Sequence, residues 1–189
     1  LIFTLLLNSL EDKEKILSIQ IPEKAGSFLK LSKIFSNSQI TEFNYRLSDP
    51  NDAHVLVGVK TKSAKNFMSL KNRLSKNHYS FKDLTKNEIS NDHLRHMVGG
   101  RSPTAKTERV FRMEFPERPG ALLDFLEKLG NKWNITLFHY RNLGSAFGKV
   151  LVGIEDTSKN KELLKRYLNR TGYTFTEETS NIAYKHFLE

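Results

Sequence analysis

The feature that most constrains this chain is an internal repeat. Residues 16–31 read ILSIQIPEKAGSFLKL, and residues 110–125 read VFRMEFPERPGALLDF, aligning Pro22 with Pro116, Glu23 with Glu117 and Gly26 with Gly120 at an offset of 94. ITEFNYR at 40–46 then meets ITLFHYR at 135–141, and VLVGV at 55–59 meets VLVGI at 150–154, both at an offset of 95. HYSFKD at 78–83 meets GYTFTE at 172–177, again at 94. Four blocks in the same order define a duplicated unit of roughly 80 residues. The 189-residue length holds two such units with little to spare.

Periodicity within one unit predicts its elements. Leu17, Ile19 and Ile21 alternate with polar neighbours and stop at Pro22, the pattern of a strand. Phe28, Leu29, Leu31, Ile34 and Phe35 recur at helical spacing. Alternation returns over 39–47, and the Asp49-Pro50-Asn51-Asp52 turn cluster folds it back onto 53–59 as a hairpin. Ser63 suits the cap of a helix carrying Phe67, Leu70 and Leu74, and 79–83 closes the unit as a strand. The order is β-α-β-β-α-β, a split βαβ or ferredoxin-like arrangement. The second unit predicts strands at 109–115, 134–142, 147–155 and 173–177, with helices at 119–130 and 158–170. Glu88 to Val98 is expected to form a connecting helix, stopped by Gly99-Gly100 and followed by a loop over 101–106. The expected divisions are 1–14, a remnant of whatever precedes this piece; 15–85, the first unit; 86–107, the connection; and 108–189, the second unit. Each small sheet has two helices for one face, so its other face or an edge must be covered by the sister unit or another chain.

At this stage the residues acquire a likeness. A strand ending in Pro-Glu-x-x-Gly-[Ala/Ser]-[Leu/Phe] and opening a helix resembles the ACT family of small-molecule regulatory domains. The longer strings IPEKAGSF, ITEFNYR, HLRHMVGGR, FPERPGALLDFL and NITLFHYR resemble the C-terminal regulatory regions of biosynthetic threonine deaminases (threonine ammonia-lyases), across residues ~15–188. The resemblance implies an α+β fold of two tandem ACT-like subdomains merged into one eight-stranded antiparallel sheet. It implies isoleucine as inhibitory ligand, valine as its antagonist, a cytoplasmic location and a homo-oligomer, tetrameric when intact, with a dimer open to this piece. It also implies a pyridoxal-phosphate catalytic domain elsewhere in the polypeptide, leaving this piece without cofactor and catalytically silent.

The resemblance carries the effector-sensing tyrosines of that family onto Tyr45 and Tyr140. A tyrosine offers a ring for a branched side chain and a hydroxyl for a polar group. Gly26 and Gly120 permit close backbone approach at a helix N-terminus, where free N–H groups favour a carboxylate. Ser27 and Ala121 keep that approach open, and Phe28 and Leu122 are candidates to line an apolar pocket. Taken without the family, the same turns read as compact strand-to-helix connections, and each Tyr-Arg pair as a core ring beside a solvated charge. Arg46 and Arg141 point to the opposite sheet face from the tyrosines and are expected to act at an interface or in transmission.

Competing classes are weaker. The net charge of +9 suggests nucleic acid, and the RRM shares this element order. However, residues 1–94 carry 14 Lys and Arg against 10 Asp and Glu, and residues 95–189 carry 16 against 11, so no basic arm exists. Ser145-Ala146-Phe147-Gly148-Lys149-Val150-Leu151 matches the RRM stacking motif poorly, and 53–58 lacks its aromatics. The Lys60–Lys76 stretch reads as a solvated helix face. A sensor module of another enzyme or regulator remains the alternative within the fold. With no cysteine, thiolate catalysis and cysteine-ligated metals are excluded, and His93 and His96 lack a third ligand in any recognised motif. The apolar run Leu1–Leu7 is too short for a membrane span and has no basic region before it or cleavage site after it.

Overall fold

The structure, a computed structural model, describes residues 14–141, 146–158 and 161–189. The expected N-terminal remnant (save Glu14), Asn142 of the sixth strand and residues 159–160 of the helix expected from 158 lie outside the described residues.

The first repeat runs β1 (Glu14–Pro22), α1 (Ser27–Ile34), β2 (Gln39–Arg46), β3 (Asp52–Lys60), α2 (Ala64–Lys76) and β4 (Ser80–Asp83). Next come α3 (Glu88–Asp92) and a 3-10 turn (Leu94–His96). The second repeat follows as β5 (Glu108–Pro116), α4 (Ala121–Leu129), β6 (Asn134–Arg141), β7 (Phe147–Glu155), α5 (Lys161–Thr171) and β8 (Phe175–Glu177), closed by α6 (Ile182–Phe187). Every predicted strand and helix of the repeats is present, with ends moved by at most three residues. The connecting helix differs: instead of running from Glu88 to Val98, it breaks at His93 into a short helix and a 3-10 turn. That break lets the Arg95 guanidinium reach Glu42 and Glu14.

All eight strands form one antiparallel sheet in the order β4-β1-β3-β2-β6-β7-β5-β8. The two unpaired inner edges, β2 and β6, meet each other, which removes the exposed edges that each small sheet would otherwise present. Phe43 pairs with Tyr140, Asn44 with His139, and Tyr45 with Phe138. Asn44 and His139 are also counterparts under the offset of 95, so the local two-fold axis passes through that pair. One face of the sheet carries the main core, continuous across the seam, where Phe43 and Phe138 meet edge to face at 5.6 Å.

The opposite face is covered by parts of the chain that extend the repeat beyond its strands. Thr85 Oγ1 accepts from the Ile16 N–H at 3.2 Å, and Thr179 Oγ1 accepts from the Val110 N–H at 3.0 Å. Asn87 and Asn181 then cap α3 and α6 in the same way. In the second repeat this layer brings Tyr184 onto Val110 and Leu137.

Candidate functional site

Both Pro-Glu-x-x-Gly turns are built by the same bonds. The Lys24 and Arg118 N–H groups donate to Pro22 O and Pro116 O, and those of Lys30 and Asp124 donate to Gly26 O and Gly120 O. Gly26 (φ 86°) and Gly120 (φ 83°) occupy the left-handed region, which is why both turns use glycine there. Neither helix start has a side-chain cap.

The glutamate of each turn meets the tyrosine of its own repeat. Tyr45 donates its hydroxyl hydrogen bond to Glu23, and Tyr140 donates to Glu117 at 3.0 Å. Burial raises the Glu23 carboxyl above the ordinary carboxylate range, against the hydrogen bonds from Tyr45 and Asn134. Burial, then the bond to Glu23, pushes the Tyr45 phenol far above its usual value, so it stays a donor. Phe28 packs edge to face on Tyr45 at 4.8 Å. Sequence reasoning paired the tyrosines with the glycine turns but missed the glutamates, although Glu23 and Glu117 align in the repeat.

The clefts themselves lie across the seam. Gly120, Ala121, Leu122 and Tyr140 line a cavity of about 20 Å³, completed by Ser32, Phe35, Ser36, Ser38, Gln39 and Ile40 of the first repeat. The symmetry-related cavity, about 10 Å³, holds Gly26 and Phe28 against Leu126, Leu129, Trp133 and Ile135 of the second repeat. Of the residues singled out in sequence, the Gly120, Ala121, Leu122 and Tyr140 set therefore shares one cleft. Ser27 and Tyr45 are buried beside the other cleft without lining it. Each cleft has room for about one water, far less than a four-carbon side chain.

On the other sheet face, Arg46 bridges the repeats. Its guanidinium bonds to the buried Glu108 carboxylate, to Gly100 O at 2.9 Å and to Leu188 O, while the Tyr184 hydroxyl donates to Glu108 at 2.7 Å. Arg141 is half-buried on the same face and lowers the basicity of His139, whose imidazole is depressed first by burial and then by that charge. A wider hollow of about 230 Å³ lies on this face between Asn44, His54, Leu56 and the linker residues Leu94 and Met97. Among the described residues, no cluster of three His, Asp or Glu is placed to hold a metal, and no helix is long and apolar enough to cross a membrane.

Comparison with known proteins places this geometry. Residues 7–94 and 99–188 match the model of a family described as the C-terminal regulatory domain of threonine dehydratase. The chain is 42% identical over 178 residues to a biosynthetic L-threonine dehydratase of Burkholderia multivorans, covering 94% of this chain and 35% of that protein. It is 41% identical over 179 residues to the biosynthetic L-threonine dehydratase of Escherichia coli, with the same coverage of each chain. It is 38% identical over 174 residues to the chloroplastic biosynthetic threonine dehydratase of Arabidopsis thaliana, covering 92% of this chain and 29% of that protein. The chain thus spans about a third of the length of the curated relatives it matches.

Proposed function

The chain belongs to the family of C-terminal regulatory domains of threonine dehydratase, and on that footing we propose that it binds isoleucine as feedback inhibitor and valine as the opposing effector. The observation that carries the reading is the position of the two glycine-turn clefts. They lie across the β2–β6 seam, where a ligand can act on how the two repeats meet. Because each cleft is nearly closed, seating a branched side chain must part the glycine turn of one repeat from the helix end of the other. Ligand binding is then work done on the seam, and the bonds of Arg46 to Glu108, Gly100 and Leu188 tie the seam to the linker and α6.

Two similar ligands fit one chemistry. Isoleucine and valine differ by a methylene, worth roughly 1–3 kcal/mol in an apolar site. Their opposite effects require each to favour a different arrangement of the seam, since equal affinity for both shifts nothing. On this reading the catalytic chemistry, a threonine ammonia-lyase reaction using pyridoxal phosphate, belongs to the part of the polypeptide outside this chain. This chain then contributes the regulation. The intact protein is then a cytoplasmic tetramer in which the divisions 15–85 and 108–189 act as the two sensing units.

The test is calorimetric titration of the chain with isoleucine, valine, threonine, serine and phenylalanine, alongside the double variant Tyr45→Phe/Tyr140→Phe. Saturable binding of isoleucine and valine, weakened about tenfold in the double variant, is expected from loss of a buried hydroxyl worth ~1–3 kcal/mol. Binding of phenylalanine alone, or unchanged affinity in the double variant, would overturn the reading.

A further inference from the structure

The net charge is shared almost evenly between the repeats, but its arrangement is not. We propose that a hollow on the first repeat binds a small molecule carrying phosphate groups, in a site separate from the two glycine-turn clefts.

The hollow has a volume of about 860 Å³, within the ~300–1,000 Å³ of small-molecule sites. The end of β3 and the turn after it supply Lys60, Thr61 and Lys62. Lys65, Ser69 and Arg73, four residues apart, add one face of α2. Asn37, Ser38, Gln39 and Pro119 complete the rim, and no carboxylate lines the space. Ser38 and Gln39 also border the Gly120 cleft, but none of the four cations does.

Those cations are unneutralised. Among the described residues, Lys60, Lys62, Lys65 and Arg73 form no ion pair. Arg46, Arg95 and Arg109, by contrast, each hold a carboxylate. Arg73 is half-buried, and its Nε and the Thr61 Oγ1 are buried with no hydrogen-bond partner among the described residues. Polar groups left so are costly, and they gather where something else completes them. A guanidinium grips phosphate through two parallel N–H bonds, and lysines beside it add point charges. Four like charges around one concavity focus a field that a single carboxylate does not neutralise, which favours a ligand with two or more negative charges.

The second repeat shows what the same ground becomes when it holds no anion. At the offset of 95, Lys60 and Thr61 correspond to Glu155 and Asp156, and Ser38 corresponds to Trp133. On the helices the offset is 94, where the buried Leu70 and Leu74 match the buried Leu164 and Leu168. Arg73 then corresponds to Tyr167, and Ser69 to Leu163. Trp133 packs on Tyr167 at 5.9 Å between ring centres, filling the space, and Asp156 is buried against Arg109 at 2.9 Å. Where the second repeat has an aromatic plug and an acidic strand end with an internal partner, the first has an open hollow ringed by unpaired cations.

The experiment is calorimetric titration of inorganic pyrophosphate, and separately of inorganic phosphate, into the chain at near-physiological ionic strength. One equivalent of pyrophosphate should bind saturably, and more tightly than phosphate. Lys62→Gln/Lys65→Gln, at exposed positions that leave the fold intact, should weaken pyrophosphate at least about tenfold, as should Arg73→Gln, through loss of charge-assisted contacts. The control Lys106→Gln/Lys185→Gln removes the same charge at exposed positions outside the hollow and should stay within about twofold, since salt screens distant charges. Absence of saturable pyrophosphate binding, or equal weakening in the control, overturns the site. Retention of single-stranded RNA at this ionic strength without uptake of pyrophosphate also overturns it and assigns the charges to nucleic acid. No outcome depends on isoleucine or valine, so failure here leaves the regulatory reading standing.

Discussion

At the scale of residues, a single device appears twice: a tyrosine on the strand after the first helix donates to the glutamate of the Pro-Glu-x-x-Gly turn. The repeat made the tyrosines and glycines legible in sequence, because matched positions stand out against drifting neighbours. The partners from across the seam were not legible. Nothing in the sequence singles out Ser38 or Trp133 until β2 and β6 are known to pair. Only that pairing makes each repeat complete the cleft of the other. The axis residue His139 carries a prediction of its own. Burial, then the charge of Arg141, lowers its folded pKa below 6.5, and its Nε2 has no hydrogen-bond partner among the described residues. Below pH 6.5 the unfolded imidazole takes up a proton that the folded one resists, so this group's contribution to stability is lost as pH falls. Thermal melts should show Tm falling from pH 7.5 to 5.5, with a smaller fall in His139→Asn; an identical fall in both would exclude His139 as a source.

At the scale of elements, the seam strands are held from both faces. Phe43 and Phe138 contribute an edge-to-face pair on one side, of a kind worth ~0.5–1.5 kcal/mol beyond its buried area. Arg46 and Glu108 form the tie on the other. Arg46→Ala would leave the Glu108 carboxylate, 2% exposed, with hydrogen bonds from Thr136 and Tyr184 as its remaining partners among the described residues. Breaking a buried pair from one side costs ~3–5 kcal/mol, so chemical denaturation should show a loss of that order. A loss under about 1 kcal/mol, the worth of an exposed pair, would place Arg46 in solvent. Alternation and helical spacing revealed every strand and helix of the two repeats. They did not reveal α6 or the broken connection, whose short helices show too few turns for a period. The matched Thr85 and Thr179, Asn87 and Asn181 were the available signal, since a threonine followed two residues later by a capping asparagine begins both layers.

For the whole molecule, one sheet and a main core continuous across the seam mean that the repeats cannot unfold separately without tearing the seam. Scanning calorimetry should give one transition with equal calorimetric and van't Hoff enthalpies. Two resolved transitions would show that the seam contributes little to holding the repeats together. The charge of +9, first a hint of nucleic acid, divides between two similar halves and describes the surface of both. A protein in which the ligand sits across such a seam is suited to turning a small binding event into a change in how its halves meet. Hydrogen-deuterium exchange with and without saturating isoleucine tests that claim most directly. The account predicts added protection over 36–40 and 118–123, the two sides of the Gly120 cleft, and over 24–29 and 129–135, the two sides of the Gly26 cleft. Protection confined to the outer-face hollow near Leu94 and Met97, or no change across the β2–β6 seam, would contradict it.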